Sequence, residues 1–261
     1  MKIGISTASL YPLETEKSLE FLCENGIPVT EVFFNSPSEL SDDFVIKLKR
    51  LSQTYGVEIS SIHPCGSVGE PYFLFSEYER RYNEAFDYYK RYYNAASILG
   101  AKTVVLHGDS LIGNISMEQY CERLLEMDEA AAKFGVSVSQ ENVNRYRAAT
   151  PQNVAEIIRL TKGKVSFTYD IKQSIRAGFS PKEIYNAMRG HIVNVHISDN
   201  SNECDCLLPS RGNFDFKPLI KDLKADNYDG AILIEVYRRA YDNPKEIIEA
   251  YNFVNNIHKV C

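Results

Sequence analysis

Six residues of this chain combine a reactive side chain with the same kind of address. His63, His107, Glu141, Asp170, His196 and Glu235 each close a short run of apolar and β-branched residues, as in Ser61-Ile62-His63, Val105-Leu106-His107, Ser139-Gln140-Glu141, Thr168-Tyr169-Asp170, Asn194-Val195-His196 and Ile234-Glu235. Three imidazoles and three carboxylates gathered in one cleft are the ligand set of a divalent metal. Without a cation, Glu141, Asp170 and Glu235 would repel one another at close range and raise their pKa values. Oxygen and imidazole ligands without thiolates suit Mn²⁺, Co²⁺, Mg²⁺ or Zn²⁺, and affinity order alone does not choose among them. Taken singly, each residue has a plainer role, since a strand-end histidine often serves as a hydrogen-bonded structural group and an aspartate often caps the next helix. Joint occurrence on consecutive strands points to a shared site. His191 precedes its strand and His258 falls in the last helix, so both are left as structural or solvated.

For these side chains to meet, their strands must end on one rim. Short β-branched runs alternate with longer amphipathic stretches along the whole chain, the pattern of repeated βα units around a parallel sheet. The strand candidates are 2–6, 30–34, 57–63, 103–107, 137–141, 165–170, 192–197 and 231–235. Eight is the number that closes a parallel barrel, and a barrel brings every strand end to the same face. The expected fold class is therefore α/β, a TIM (β/α)8 barrel in one domain spanning residues 1–261.

Helix starts are marked as well. Ser180-Pro181-Lys182-Glu183 and Asn243-Pro244-Lys245-Glu246 each offer a capping residue, a proline at the first helical position and a glutamate at the third. Thr150-Pro151 repeats the first half of that pattern, and Ser41-Asp42-Asp43 places acidic residues at a helix N-terminus. A long helix over 77–99 carries Tyr78, Tyr82, Phe86, Tyr89 and Tyr93 at spacings of three or four, an aromatic stripe that reads as packing against the barrel and not as a nucleotide-stacking face. The Gly-, Pro- and Ser-rich stretches 65–76 and 199–218 are expected to be long rim loops, where barrels keep their chemistry.

Composition excludes several classes. Of 261 residues, 44% are hydrophobic and 25% charged, which leaves enough apolar material for one core and no case for disorder. A net charge of -6 provides no global field for a polyanion, so nucleic acid is disfavoured as a partner. No run of roughly 18 apolar residues is present, so no membrane span is expected. Six scattered cysteines and a start that runs directly into a strand are read as reduced thiols in a cytoplasmic protein. Cys204 and Cys206 share a Cys-x-Cys spacing, but without a matching second pair they make a weak zinc signal.

At the strand ends the chain resembles the xylose-isomerase-like TIM-barrel superfamily, which contains sugar isomerases and epimerases, inosose dehydratases and metal-dependent apurinic-site endonucleases. The resemblance covers nearly the whole length. It is carried by Ser61-Ile62-His63-Pro64, Val105-Leu106-His107-Gly108, Gln140-Glu141-Asn142, Tyr169-Asp170, Val195-His196-Ile197-Ser198-Asp199 and Ile234-Glu235-Val236 in that order, together with a loop, Pro209-Ser210-Arg211-Gly212-Asn213-Phe214-Asp215-Phe216, in which Ser210 replaces a glycine of the family. Similarity to its ketose 3-epimerases implies that Glu141, Asp170, His196 and Glu235 hold one metal. It also implies that Glu141 and Glu235 face the substrate carbon from opposite sides, one removing a proton and the other returning it. His63 and His107 would then be substrate contacts or ligands of a second ion, and Arg211 would contact sugar oxygens.

One departure bears on function. Epimerases and endonucleases carry a histidine three residues after the sixth-strand aspartate, whereas Asp170-Ile171-Lys172-Gln173 places Gln173 there. Glutamine can bind a sugar hydroxyl but is a poor metal ligand. The Asp-x-His pair that completes the endonucleases' third metal is also missing between His196 and Glu235. The expected activity is thus a metal-dependent isomerase or epimerase of a small ketose, polyol or sugar phosphate, with an inosose-type dehydratase, an abasic-site endonuclease and a non-catalytic sugar-binding barrel as alternatives. Lys172, Arg145, Arg147 and Arg238 lie near rim loops and are read first as solvated charges, and second as contacts for a phosphate or carboxylate. Relatives of this kind are often oligomers, which makes a homo-oligomer an expectation by analogy.

Overall fold

A computed structural model describes residues 1–66 and 69–261. The two remaining positions, Ser67 and Val68, fall within the stretch 65–76 and lie outside the described residues. Eight strands form a closed barrel in chain order, each parallel to its neighbours: β1 (Lys2–Ser6), β2 (Val29–Phe33), β3 (Glu58–His63), β4 (Thr103–Leu106), β5 (Ser137–Glu141), β6 (Ser166–Asp170), β7 (Ile192–Ile197) and β8 (Ala231–Ile234). The pairing of Ile3 with Ile232 and of Ile5 with Ile234 closes the ring. Around it run α1 (Thr15–Glu24), α2 (Asp42–Tyr55), α3 (Glu70–Phe73), α4 (Glu79–Leu99), α5 (Met117–Ala132), α6 (Pro151–Leu160), α7 (Ile171–Arg176), α8 (Pro181–Met188), α9 (Phe216–Ala225) and α10 (Lys245–Val260). The expected barrel is present, with strand bounds displaced by one residue in places. His107 and Glu235 stand immediately after their strands, where the ladder frays, although Glu235 N still donates to Ile197 O at 3.0 Å.

The helix-start signals are expressed as hydrogen bonds. Ser180 and Glu183 form a reciprocal capping box at α8, and Thr150 Oγ1 accepts from Asn153 N at α6. Before α10, Asn243 Oδ1 accepts from Lys245 N and Glu246 Oε1 accepts from Asn243 N, so the cap forms as expected but the regular helix begins one residue later than the proline. Ser41 precedes α2 without a side-chain capping bond. On α4, Tyr82, Tyr89, Tyr92 and Tyr93 are buried and Phe86 packs against the core, whereas Tyr78 precedes the helix and is 56% exposed. The stripe is packing surface.

Strand alternation divides the apolar residues into two bodies. Ile3, Ile5, Val32, Ile62, Val104, Leu106, Val195 and Ile234 face the helices in one continuous core, while Val29, Ala231 and Leu233 make a small separate cluster. Because side chains at i and i+2 share a face of a strand, the residues two positions further along these same strands, Glu31 and Glu235, lie above that small cluster. The barrel interior therefore passes from apolar at its floor to charged at the strand ends. Gly4 belongs to this interior, where a Cβ would lie 2.0 Å from Val29 O, closer than any side chain permits.

Candidate metal centre

The site is built from the buried middle of the barrel outward. Glu31 on β2 is fully buried and accepts hydrogen bonds from Ser61 Oγ at 2.8 Å, Ser6 Oγ at 3.1 Å and Asn194 Nδ2 at 3.1 Å. Its Oε2 also lies 3.1 Å from His196 Nε2. Burial alone would raise this carboxyl's pKa, but the charge and hydrogen bond of His196 outweigh it and hold Glu31 below the usual carboxylate range. An ionised Glu31 accepts the Nε2 proton of His196, which turns Nδ1 toward the strand ends. A carboxylate behind an imidazole in this way fixes the tautomer and ring orientation of a metal ligand.

His196 Nδ1 faces three carboxylates, at 3.5 Å from Glu235 Oε2, 3.8 Å from Glu141 Oε1 and 4.0 Å from Asp170 Oδ2. One ligand atom from each of these four residues lies within 4.8 Å of every other. Asp170 is held by both ends of its neighbourhood: its N–H donates to Asn142 Oδ1 at 2.7 Å and its Oδ1 caps α7 by accepting from Gln173 N at 2.9 Å. That leaves Oδ2 turned into the cage. Glu141 Oε2, Asp170 Oδ2 and His196 Nδ1 are buried and complete no hydrogen bond of proper geometry among the described residues, although His107 Nε2 lies 3.0 Å from the first and Lys172 Nζ 3.2 Å from the second; a shared ligand would satisfy all three atoms. These residues fit a divalent ion with oxygen and imidazole ligands.

The expected raising of the carboxylates holds for Asp170 alone, since burial of Glu141 and Glu235 is outweighed by His107 and Lys172, which keep both below the usual carboxylate range. Burial drives the Asp170 carboxyl up to about 6, against the pull of Lys172 and with the repulsion of Glu141 and Glu235. Burial pulls His196 down, yet the surrounding carboxylates, Glu31 first, carry it well above the ordinary histidine value. Protons thus neutralise the cluster where a divalent ion would otherwise do so, which is the linkage expected of a metal site.

A second group adjoins the first through Glu141. His107 Nε2 is 3.0 Å from Glu141 Oε2, His63 Nε2 is 3.6 Å from the same oxygen, and the two imidazoles approach to 2.9 Å. His63, His107 and Glu141 satisfy the spacing of a three-ligand set by themselves. Glu70 of α3, also buried, accepts from Gly108 N at 2.7 Å and Tyr89 OH at 2.7 Å beside His107. Gly108 has a φ of +83° and a Cβ there would meet Gln140 and Tyr120 at 2.5 Å, so glycine lets the chain turn tightly after His107.

Above both groups opens a cavity of about 370 Å³, lined by His63, His107, Glu141 and Glu235 together with Lys172, Gln173, Tyr237 and residues of the β1 and β2 ends. A larger groove of about 660 Å³ lies outside the barrel between α3 and α4 and contains no member of either group. The candidate residues border the smaller space.

A model of the xylose isomerase-like TIM barrel family matches residues 19–257. The chain belongs to that family. Among its relatives, an uncharacterized protein of Methanocaldococcus jannaschii is 26% identical over 96% of this chain and 89% of its own length. The 3-dehydro-D-guloside 4-epimerase of Escherichia coli is 24% identical over 93% of this chain and 94% of its own length. The crystal structure of a D-tagatose 3-epimerase-like protein superposes with a TM-score of 0.82 at 23% identity, covering 100% of this chain and 98% of that one. Among the described residues, no helix is long and apolar enough to cross a membrane.

Within this family member the six strand-end residues converge as their positions predict, and other expectations need correction. Lys172 is not a solvated loop charge: its side chain is 3% exposed, with Nζ 2.8 Å from Glu235 Oε2 and 3.2 Å from Asp170 Oδ2. Arg147 is buried against Asp109 at 2.8 Å, and Arg238 holds the carbonyls of Tyr241 and Asp242. Arg145 is exposed, with a φ of +69°. Gln173 lines the cavity and accepts from Asn144 N at 3.1 Å. Arg211 pairs with Glu246 of α10 and does not line the cavity. Glu31, Glu70 and the placement of Lys172 escape the strand-end pattern. Glu31 leaves one sequence signal, an acidic residue inside the β-branched and apolar run Val29-Thr30-Glu31-Val32-Phe33.

Proposed function

We propose that this protein is a divalent-metal-dependent epimerase or isomerase of a small ketose, polyol or sugar phosphate, working by proton transfer between Glu141 and Glu235. The observation that carries the proposal is that both glutamates border one cavity while sharing a cage with Asp170 and His196. The sugar-epimerase names of relatives in the family support the substrate class. Mn²⁺, Co²⁺, Mg²⁺ or Zn²⁺ would be held by Glu141, Asp170, His196 and Glu235. When bound, such an ion would supply Lewis acidity that polarises a sugar carbonyl and acidifies the neighbouring C–H.

The chain's own residues then divide the work. One glutamate accepts the proton from carbon and the other, after taking a proton from solvent, returns it to the opposite face, with general acid–base catalysis typically contributing about 10²–10⁴-fold. Each glutamate has its own nitrogen neighbour: His107 Nε2 lies 3.0 Å from Glu141, and Lys172 Nζ donates to Glu235 at 2.8 Å. His63, His107 and Gln173 line the cavity where hydroxyls would be bound, and Phe33 and Val236 exclude water from its wall. Arg211, held by Glu246, would act on substrate only after leaving that partner.

The test is incubation with free and phosphorylated ketoses in D₂O after metal analysis, with Mn²⁺ or Co²⁺ supplied. Carbon-bound deuterium in at least one sugar, dependent on the ion, is expected. No deuterium in any sugar at any ion would sink the isomerase reading.

A further inference from the structure

The metal cage already contains a cation. Lys172 sits at the second residue of α7, where a positive charge gains nothing from the helix dipole, and burying an ammonium requires partners. Its partners are Glu235 Oε2 at 2.8 Å and Asp170 Oδ2 at 3.2 Å, with the face of Tyr237 at 5.1 Å from Nζ. Those two oxygens are the ones that face His196 Nδ1 across the cage. An ion bound there and the ammonium of Lys172 would therefore draw on the same pair of oxygens, and the two positive charges would repel each other in a buried site.

We propose that Lys172 is an internal competitor for the divalent metal: its ammonium bridges Asp170 and Glu235 in the metal-free protein and must give up at least one of them when an ion enters. Metal affinity is then set by an exchange of cations and not by ligand number alone. The ammonium also keeps the two carboxylates together while no ion is present, so the cage does not open. Because Lys172 lines the cavity, its stem can carry the displaced ammonium toward that space without unfolding α7. This inference rests on the proposed metal-dependent function, and its test separates the two.

The experiment is calorimetric titration of the metal-stripped full chain with Mn²⁺, in parallel with thermal melts with and without the ion, for the wild type and for Lys172→Met, Lys172→Gln and Lys172→Arg. Removing the charge should tighten Mn²⁺ binding by about tenfold or more, lower the metal-free melting temperature and enlarge the rise in melting temperature caused by Mn²⁺. Lys172→Arg keeps a cation and should bind Mn²⁺ within the wild-type range, which a purely packing role for the stem would not require. If Lys172→Met does not fold, Lys172→Gln supplies the same comparison with a polar side chain. Unchanged or weaker binding in folded charge-removing variants would overturn the competition while leaving the metal site intact. Failure of all four proteins to bind Mn²⁺, Co²⁺ or Zn²⁺ would remove the metal-dependent function, and the competition with it.

Discussion

The two glutamates of the cage differ in their surroundings more than in their positions. Glu141, at the end of β5, is faced by imidazoles, with His107 at 3.0 Å and His63 at 3.6 Å from Oε2. Glu235, just after β8, is faced by an ammonium, with Lys172 at 2.8 Å. Burial opposes ionisation of both. Against it, His107 is the strongest influence holding Glu141 well below the usual carboxylate range, and Lys172 is the strongest holding Glu235 down at about 2. One barrel rim thus presents two ionised carboxylates, one beside imidazoles and one beside an ammonium.

The most severe way to break this comparison is to neutralise each glutamate in turn. Glu141→Gln and Glu235→Gln should each lower ion-dependent deuterium exchange by about 10³-fold or more while circular dichroism and melting show an intact fold. If Glu235→Gln kept exchange within about tenfold of the wild type, Glu235 would be a ligand without a proton-transfer role and the two flanks would not be functional counterparts.

A smaller effect should follow from Glu31, which under the proposed function would act on the ion through His196. Glu31→Gln keeps the shape but removes the ionised acceptor for His196 Nε2, so Mn²⁺ affinity measured by calorimetry should fall by about 10–100-fold. Equal affinity in the variant would mean that His196 does not need the Glu31 charge to be oriented as a ligand.

The contrast between Glu31 and its neighbours shows which parts of the site are legible in sequence. Strand ends are readable because a parallel barrel sends each of them to the same rim, so all six strand-end residues group from position, whereas the set of Glu141, Asp170, His196 and Glu235 is implied by family resemblance. Glu31 lies inside its strand, and whether a mid-strand residue points into the barrel depends on register, which a shift of one residue reverses. Lys172 was hidden for another reason. Two residues after a strand end, a lysine reads as a rim charge, and only the turn into α7 brings its ammonium back between Asp170 and Glu235.

The imidazole flank makes a prediction of its own in the metal-free protein. Burial depresses His63, but Glu141, Glu31 and Glu235 carry its pKa up to about 9. A histidine whose folded pKa is raised above the unfolded value of about 6.5 contributes stability that is fully present below that value and lost as pH rises through the folded pKa. The metal-free chain should therefore lose on the order of 1–3 kcal/mol between pH 6.5 and pH 9, and His63→Gln should flatten that slope. A wild-type melting temperature that stays constant over this window would show that His63 carries no extra proton, which would erase the distinction between the flanks.

The smallest effect is expected where sequence resemblance implied a sugar contact outside both flanks. The loop carrying Arg211 is folded over Asp199, whose carboxylate accepts from Ser210 N at 3.1 Å, Gly212 N at 2.9 Å and Phe214 N at 2.9 Å. A Cβ at Gly212 would lie 2.4 Å from Asp199 Oδ1, so the loop is shaped around that buried acid. Motif similarity fixes which residues occupy the loop but not where an arginine flanked by these anchored amides will point, and here it reaches Glu246. If the cavity is served by the imidazole and ammonium flanks alone, Arg211→Ala should leave deuterium exchange and Mn²⁺ affinity within about twofold of the wild type. A rise in KM with kcat unchanged would instead show that Arg211 leaves Glu246 to bind substrate, adding a third cationic group to a site that its resting geometry divides in two.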